Sequence, residues 1–471
     1  MSVVHYLSAV IAELEASIRP ELQSAGARQA LYGCQRVLLR AAEQLKTAAL
    51  CEPDYQGRTE ATQLVLEQFG LENLLTAGPQ RDQARAASDR AIELQASGVA
   101  SSDAEFLDLL REESQLLQQR EAQTENYWRS LLTARGGHVA DTTDIRSRLE
   151  QYLRRHNSND GRVAELQWLS GGRTKQTALL TLEGFDGLPN SAVLRKEVTG
   201  VTLQTSLRDE YPLLQHLSAH SNSLRLPRPY LFEDDESVLG GRFALVSHLP
   251  GRMAGGAFSA HPSEALALGL AEQLGILHSL PVEPARHLFA ASRQQQSKAD
   301  FAAALEAMRI EWTTNARTPS VTAIAAFAWL RDNLQHAEGL TAIVHGDCGF
   351  HNVLVHEEGL GALLDWELAH LGHPAEDLGY IHSVIETMTT WPKFMAAYHA
   401  AGGLRVSTRA VHFFTVWKSL WLATIILRAR QLFEDAPPAS VHFAEAPSDQ
   451  SPMMLTRLSR ELIEAMTEEG Q

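Results

Sequence analysis

The stretch "IVHGDCGFHNVLVHEEGLGALLDWE" at residues 343–367 decides how the rest of the chain is interpreted. Its short apolar runs are typical of buried strands, and three oxygen-bearing side chains, Asp347, Asn352 and Asp365, interrupt or follow those runs. Asp and Asn are common turn residues, and their oxygen atoms are also the ligands that hard cations prefer. The stretch therefore indicates either ordinary strand ends or a site for a cation and a phosphate.

Strand pairing favours the second interpretation. If the apolar runs "VLV" and "GALL" pair, their ends place Asn352 and Asp365 side by side, where both can hold one Mg²⁺. Asp347 lies nearby, in the loop between the apolar "AIV" and "VLV" and outside the metal shell, where it can accept a proton from a hydroxyl group. Phosphoryl transfer needs this combination of metal ligands and one base.

The motif "HGDCGFHN" followed by "LLDWE" resembles the catalytic segment of the aminoglycoside phosphotransferase family, the small-molecule relatives of protein kinases. Protein kinases carry H-R-D-x-x-x-x-N and then D-F-G, whereas this chain has H-G-D-x-x-x-x-N and then D-W-E. The continuation "LAHLGHPAEDLGY" looks like the acyl-CoA-linked branch of that family. The resemblance covers residues 142–433 and implies an α+β, protein-kinase-like bilobal fold that uses ATP and Mg²⁺.

The resemblance also implies a role for each residue of this segment. Asp347 is expected to be the catalytic base, and Asn352 and Asp365 are expected to hold magnesium. His345 is expected to be a buried residue that holds the loop, and Asp377 a buried support that accepts hydrogen bonds from the loop backbone.

Upstream, the hydrophobic period and the turn residues predict a five-stranded antiparallel sheet with one helix. By resemblance, its glycine turn covers the ATP phosphates, a cation on its third strand contacts them, a helix carboxylate fixes that cation, and the backbone of the hinge meets adenine. The glycine turn contains Gly171 and Gly172, the cation is Arg195 and the helix carboxylate is Glu210. The hinge consists of Ser247, His248 and Leu249. Strand alternation directs Lys196 to the opposite face from Arg195.

Three positions depart from the family pattern. The family commonly has Asn in the glycine turn where Lys175 stands, and Arg195 replaces the Lys of protein kinases while keeping its charge. His351 is bulkier than the small residue often found at its position, so it is expected to narrow the acceptor pocket.

The chain is expected to contain a helical accessory domain (1–138), a kinase-like N-lobe (139–250) and a mainly helical C-lobe with the catalytic loop (251–471). Apolar stripes at helical spacing predict three helices before residue 135, the last over 103–134. Those helices could serve self-association, partner docking or a lid, or have no chemical role. The Pro-rich segment 434–452 is predicted to be a loop before a final helix.

Bulk properties exclude several classes of protein. A net charge of −16 over 471 residues argues against a nucleic-acid binder, because phosphate backbones require clustered Lys and Arg. Three scattered cysteines fit a reducing cytosol, and the N-terminus lacks the basic start of a secretory signal. The apolar run "FFTVWKSLWLATIIL" is shorter than the ~20 residues of a membrane span, so a buried helix in a cytoplasmic protein is expected.

One segment bears on the acceptor. Residues 387–433 contain no Asp or Glu but several cations, namely Lys393, Arg405, Arg409, Lys418, Arg428 and Arg430. A basic wall suits an anionic acceptor such as a hydroxyacyl-CoA, whereas an aminoglycoside would need carboxylates. The alternatives are that these cations only solvate helix faces, that the enzyme is an aminoglycoside or amino-alcohol kinase, or that the chain is a nucleotide-binding scaffold acting through its N-terminal helices.

Overall fold

The computed structural model describes the chain from residue 87 onward, with gaps. The described residues are 87, 90–94, 104–131, 143–156, 160–169, 175–197, 205–256, 258–290, 293–294, 297–316, 320–357, 359–435 and 441–468. The first two predicted helices lie outside these residues, as does the glycine turn with Gly171 and Gly172.

Helices and strands alternate first and helices then dominate. The helices are α1 (Ala104–Leu131), α2 (Thr143–His156), α3 (Leu207–His220), α4 (Glu264–Ser279), α5 (Lys298–Asn315), α6 (Val321–Asp332), α7 (Ala375–Ile385), α8 (Trp391–Ala400), α9 (Thr408–Asp435) and α10 (Val441–Glu468). The strands are β1 (Arg162–Leu169), β2 (Lys175–Glu183), β3 (Ser191–Glu197), β4 (Pro229–Glu233), β5 (Phe243–Ser247), β6 (Arg252–Met253), β7 (Gly255–Gly256), β8 (Ser259–Ala260), β9 (Ala342–Val344), β10 (Val353–His356), β11 (Gly359–Leu363) and β12 (His370–Gly372).

The first five strands form one antiparallel sheet in the order β1-β2-β3-β5-β4. Alternate residues of β3, and of β2 from Ala178 onward, are buried, and Leu180, Leu194 and Leu245 share an apolar core with Leu149 and Leu153 of α2. Apolar and polar residues alternate along a strand because successive side chains point to opposite faces. The predicted five-stranded sheet is therefore confirmed.

Three short strands carry the catalytic stretch. β10 pairs with β11 and with β6, and β9 pairs with β12, all antiparallel. Residues 248–251 connect β5 of the large sheet to β6, so the chain passes directly from one sheet to the other at the predicted hinge. Helix α7 follows β12 and is buried along nearly its whole length. Mixed strands and helices of this kind confirm the α+β fold class.

The chain forms two compact units, and each unit is built from segments that are separated in the sequence. One comprises residues 139–301 and 334–418, and it contains the three sheets described above. The other comprises residues 1–138, 302–333 and 419–471. The predicted boundaries at 138 and 250 were drawn from patterns along the sequence and remain predictions.

Within the second unit, α1 packs on α6 and α10. The Glu113 carboxylate of α1 accepts hydrogen bonds from the backbone N–H groups of Val321 and Thr322, at 3.1 and 2.6 Å. These groups lie in the first turn of α6, where helix N–H groups lack partners within the helix and favour a negative charge. The predicted helix over 103–134 is confirmed, and it belongs to a shared helical core.

Two further predictions concern the C-terminal helices. Among the described residues, one stretch, Thr408–Arg428, is long and apolar enough to cross a membrane, and 78% of it is buried inside the structure. Such burial agrees with the expected core helix. The loop predicted over 434–452 is wrong in part, because α10 begins at Val441. Its buried Leu458 and Leu462 anchor that helix, and tertiary packing supplies most helical stability.

Candidate active site

The loop between β9 and β10 is held from below by Asp377 of α7. Its Oδ2 accepts a hydrogen bond from the backbone N–H of His345 at 2.7 Å, and its Oδ1 accepts one from Gly346 at 2.9 Å. Gly346 has φ +78°, and a Cβ there would lie 2.4 Å from the carbonyl oxygen of Leu368. The structure thus gives Asp377 the contacts that the sequence predicts for it.

A second layer fixes Asp377. His278 of α4 contacts Asp377 Oδ2 through Nε2 at 3.1 Å and the Tyr398 hydroxyl through Nδ1 at 2.9 Å. Burial alone would raise the pKa of Asp377, but the hydrogen bond from His278, the charges of His278 and His345 and the backbone N–H of His345 hold that pKa well below its usual range. The sequence analysis missed His278 and Tyr398, which lie 99 and 21 residues from Asp377 and carry no local motif.

His345 is fully buried and bridges the loop to the next strand. Its Nε2 contacts the Leu364 carbonyl oxygen at 3.0 Å, and its Nδ1 accepts from the backbone N–H of Asp347 at 3.2 Å. Burial lowers the pKa of His345, which favours the neutral ring that this pattern of one donor and one acceptor requires. His345 therefore holds the loop and is not placed to carry protons.

Asp347 is the carboxylate at the tip of this loop, with 21% of its side chain exposed. Its Oδ2 accepts hydrogen bonds from His351 Nε2 at 3.2 Å and Asn352 Nδ2 at 3.0 Å. Burial opposes ionisation of Asp347, but the hydrogen bond from His351 and nearby positive charge outweigh it, so the pKa lies below its usual value. Asp347 is therefore an ionised, hydrogen-bonded carboxylate that solvent can still reach.

Asn352 and Asp365 lie where the two paired strands meet. The backbone N–H of Leu364 donates to the Asn352 carbonyl oxygen at 2.8 Å, which places Asp365 next to the start of β10. Asp365 adopts the left-handed conformation with φ 59° and ψ 73°, which non-glycine residues rarely take and which is concentrated at functional sites. The amide nitrogen of Asn352 is committed to Asp347, which leaves its oxygen as the ligand atom for a cation.

Arg195 of β3 joins the large sheet to this site. Its Nη1 donates to Glu210 Oε1 of α3, and its Nη2 donates to Asp365 Oδ1 at 2.5 Å. Lys196 points to the other face, where its Nζ donates to Gln176 at 3.1 Å, as strand alternation predicts. The structure thus brings together Arg195, Glu210 and Asp365, which are up to 170 residues apart in sequence.

A second cation, which the sequence analysis did not place in the site, lies beside this one. Lys175 is 3% exposed, and its Nζ bonds Glu367 and lies 3.4 Å from Glu210 Oε2. Oxygen atoms of Glu210, Asp365 and Glu367 all lie within 4.8 Å of one another. Burial and the neighbouring Asp365 charge raise the pKa of Glu367 despite the opposing effect of Lys175.

Another residue outside the sequence prediction for the site is Lys418 of α9. It is buried, donates to the carbonyl oxygen of Gly346, and lies 5.4 Å from the centre of the Tyr380 ring. Its charge is one of those that lower the pKa of Asp347. The sequence signal for it was misleading, because Lys418 was counted with the basic residues expected to line a wall for an anionic acceptor.

The predicted hinge follows β5. Ser247 pairs with Ala192 in the sheet, and its N–H donates to Arg228 at 2.8 Å. The His248 ring contacts Ser191 Oγ at 2.9 Å, and the partly buried Leu249 follows. The segment therefore continues from the end of β5 into β6, which pairs with β10.

The donor set fits magnesium. Mg²⁺ is usually bound by one or two carboxylates together with waters and substrate phosphates. The Asp365 carboxylate and the Asn352 amide oxygen supply protein ligands. The guanidinium of Arg195 lies beside Asp365, where its positive charge can pair with a phosphate. The arrangement can hold a nucleotide phosphate with a divalent ion and present a carboxylate base to a hydroxyl group.

The comparisons with known proteins agree with this geometry. A family model described as the phosphotransferase enzyme family matches residues 165–414, more than half of the chain. The chain belongs to the phosphotransferase enzyme family. The match runs from β1 into α9 and includes the described residues of the site except Lys418.

Individual relatives are more distant. Acyl-CoA dehydrogenase family member 11 of Pongo abelii is 28% identical over 247 residues, which are 49% of this chain and 30% of that protein. The Homo sapiens protein of the same name is 27% identical over 246 residues, with the same shares. The match thus spans less than a third of the length of these two relatives.

Solved structures share the fold, and one of them is a Ralstonia eutropha protein provisionally described as an aminoglycoside phosphotransferase, with a TM-score of 0.50 and 19% sequence identity. The alignment covers 67% of this chain and 97% of that one. The similarity confirms the kinase-like fold of the phosphotransferases.

Proposed function

We propose that the chain is an ATP- and Mg²⁺-dependent kinase that phosphorylates a hydroxyl group of a small molecule, with Asp347 as the catalytic base. The observation that carries the proposal is the convergence of Asp347, Asn352 and Asp365 with the Arg195–Glu210 pair in one site. Positioning, charge neutralisation and one base are what phosphoryl transfer requires of a protein. Family membership supports the same chemistry.

On the donor side, the glycine turn with Gly171 and Gly172 would cover the phosphates, and the backbone of residues 247–249 would meet adenine. Arg195 would contact the phosphates, since Glu210 holds its guanidinium in place. Asn352 and Asp365 would hold Mg²⁺, which when bound neutralises phosphate charge.

On the acceptor side, Asp347 would orient the hydroxyl group and take its proton. A carboxylate with a low pKa is a weak base in the ground state, so its main contribution is to fix the direction of attack. Asp377, through the two loop N–H groups, sets where Asp347 lies. His345 and Lys418 hold the same loop from its other sides.

We infer that the acceptor is a hydroxyacyl-CoA. Support comes from the relatives, whose names place them with acyl-CoA dehydrogenases. The basic segment 387–433 supports it less than its sequence suggested, because Lys393 pairs with Glu264 and Arg428 pairs with Glu311. Among the side chains of this segment that the structure describes, Arg405 and Arg409 are the exposed basic residues that remain for an anion.

The test is a screen for ADP release with hydroxyacyl-CoAs and aminoglycosides as acceptors, followed by detection of the phosphorylated product by mass spectrometry. We expect ADP release that depends on a hydroxyacyl-CoA. Release that depends only on an aminoglycoside would replace the acceptor and keep the chemistry. ATP binding without transfer to any acceptor would instead favour a nucleotide-binding scaffold.

The matched control is Asp347→Asn, which preserves shape and removes the base. We expect transfer to be lost while calorimetry still detects ATP binding, since the residues assigned to ATP do not include Asp347. Full activity in this variant would remove Asp347 from the base role.

A further inference from the structure

Lys175 is a buried cation in the middle of the phosphate site, although it begins an ordinary strand. It pairs with Glu197 in the β2–β3 ladder, two positions along from the pair between Thr177 and Arg195. Residues two apart on a strand share a face, so the side chains of Lys175 and Arg195 lie on the same face as diagonal neighbours. Both cations therefore point toward the same group of carboxylates.

The ammonium is fixed by three oxygen atoms. Lys175 Nζ bonds Glu367, lies 3.4 Å from Glu210 Oε2 and lies 3.5 Å from Thr205 Oγ1. Thr205 Oγ1 in turn donates to Glu367 Oε2 at 2.9 Å, so that oxygen accepts from a hydroxyl group and from the ammonium together.

The same carboxylates would otherwise suit a divalent ion. Oxygen atoms of Glu210, Asp365 and Glu367 lie within 4.8 Å of one another, and Glu210 Oε2 is buried without a hydrogen-bond partner. Kinase sites can hold two Mg²⁺ ions, and two-metal sites place them about 3.5–4 Å apart. A second ion at Glu367 would need the position that the ammonium of Lys175 occupies.

We propose that Lys175 is a positioning residue whose ammonium takes the place of a second divalent ion, so that the site binds one Mg²⁺ with ATP and Glu367 is not a metal ligand. The inference rests on the proposed function and specifies which positive charges, one Mg²⁺ and the Lys175 ammonium, the site contains beside Arg195. Lysine is a compact point charge, and its ammonium donates to Glu367 and Thr205 and forms an ion pair with Glu210 Oε2. Because its side chain is 3% exposed, the ammonium cannot move into water without separating from the buried carboxylate of Glu367.

The experiment counts ions. Mn²⁺ serves as the probe, with a non-hydrolysable ATP analogue at saturation, and bound Mn²⁺ is measured by equilibrium dialysis and electron paramagnetic resonance. We expect one ion per wild-type chain, one in Lys175→Arg, and two in Lys175→Met. The double variant Lys175→Met with Glu367→Gln should return to one ion, because Glu367 would be a ligand of the second.

Two ions in the wild-type chain would overturn the proposal, and so would a single ion in a folded Lys175→Met. If Lys175→Met does not fold, Glu367→Gln in the wild-type background decides. One ion there supports the proposal, and loss of the ion overturns it by making Glu367 a ligand of the first. Failure of the nucleotide analogue to bind in any variant would instead remove the proposed function, and this inference with it.

Control variants show that an altered ion count does not come from losing any buried lysine of the sheet. Lys196→Met removes the neighbouring buried cation from the opposite face, where its partner is Gln176. We expect this variant to bind one ion. A second ion in Lys196→Met would overturn the assignment to Lys175. Thermal melting of each variant checks that the chain is folded.

Discussion

Replacing Asp377 by Asn tests whether this residue holds the catalytic loop. The amide oxygen of Asn can take the position of Oδ2, which accepts from His345 N–H and His278 Nε2. The amide nitrogen then replaces Oδ1 and points a donor at the buried N–H of Gly346. One charge-assisted hydrogen bond is lost, and one buried donor is left without an acceptor.

The magnitude follows from those two losses. A hydrogen bond to a charged group contributes about 1.5–3 kcal/mol, and an unsatisfied buried donor costs about 1–3 kcal/mol. Because these terms overlap, we expect Asp377→Asn to lower the free energy of unfolding by about 2–4 kcal/mol. For a unit of this size the midpoint of melting falls by about 2–4 °C per kcal/mol, which calorimetry resolves easily.

The pH dependence gives an independent reading. The pKa of Asp377 is lowered by folding, so the stabilisation from its carboxylate is complete above an unfolded pKa of about 3.9 and is lost as the pH falls through the lower folded pKa. Asn does not titrate. The stability difference between wild type and Asp377→Asn should therefore be constant from pH 7 to about pH 5 and become smaller below pH 4.

The control is Asp209→Asn, an exposed position at the first turn of α3 where the same substitution should cost less than about 0.5 kcal/mol. If Asp377→Asn melts with the wild type, or if the difference between them grows on acidification, Asp377 does not anchor the loop as described. A parallel loss of phosphoryl transfer with retained ATP binding would show that the anchored loop is the one that carries the base.

Two other substitutions follow from the same contacts. The first is Asp365→Asn, because Asn tolerates the left-handed backbone at this position better than Ala would. We expect this variant to bind ATP in the presence of Mg²⁺ at least about tenfold more weakly, or ~1.4 kcal/mol, with a smaller change in metal-free buffer. Calorimetry with and without metal measures both affinities, and equal losses would remove Asp365 as a metal ligand. The second is deletion of residues 1–135, which removes α1 with the buried Phe106 and Leu110 and with the Glu113 carboxylate that accepts hydrogen bonds from the start of α6. We expect the product to be aggregated on size-exclusion chromatography. A monodisperse product with a sharp melting transition would refute the shared helical core.

The catalytic stretch was predictable because its information is local. Asp347 and Asn352 are five residues apart in one loop, and the pairing of two short neighbouring strands brings Asp365 beside them. Arg195 needed one more step, since strand alternation determines which of two adjacent cations faces the site. Such short-range rules place a side chain on a face, and the resemblance to kinases supplied the partner, Glu210.

The partners of Lys175 were not predictable by those rules. Lys175 and Glu367 are 192 residues apart, and sequence gives no reason to bury a lysine, because an unpaired buried charge is strongly unfavourable. The available signal was the departure at Lys175 from the residue common in the family. Together with the diagonal position relative to Arg195, that departure would have placed a second cation at the phosphates.

The basic segment shows how charge counted along the sequence can mislead. Glu264 and Glu311, which neutralise Lys393 and Arg428, lie outside residues 387–433, and Lys418 is buried against a backbone carbonyl. A window of sequence cannot include partners from other elements, so a local excess of cations does not by itself define a binding surface.

The selection of the acceptor is better sought at the base itself. The hydrogen bonds from His351 and Asn352 both end on Oδ2 of Asp347, and a carboxylate offers about four lone-pair positions. We infer that an acceptor hydroxyl approaches Oδ1, the oxygen on which neither of these two hydrogen bonds ends. A small residue at 351 would free a position on Oδ2 and widen the approach, so the bulk of His351 restricts both the direction and the size of the group that carries the hydroxyl.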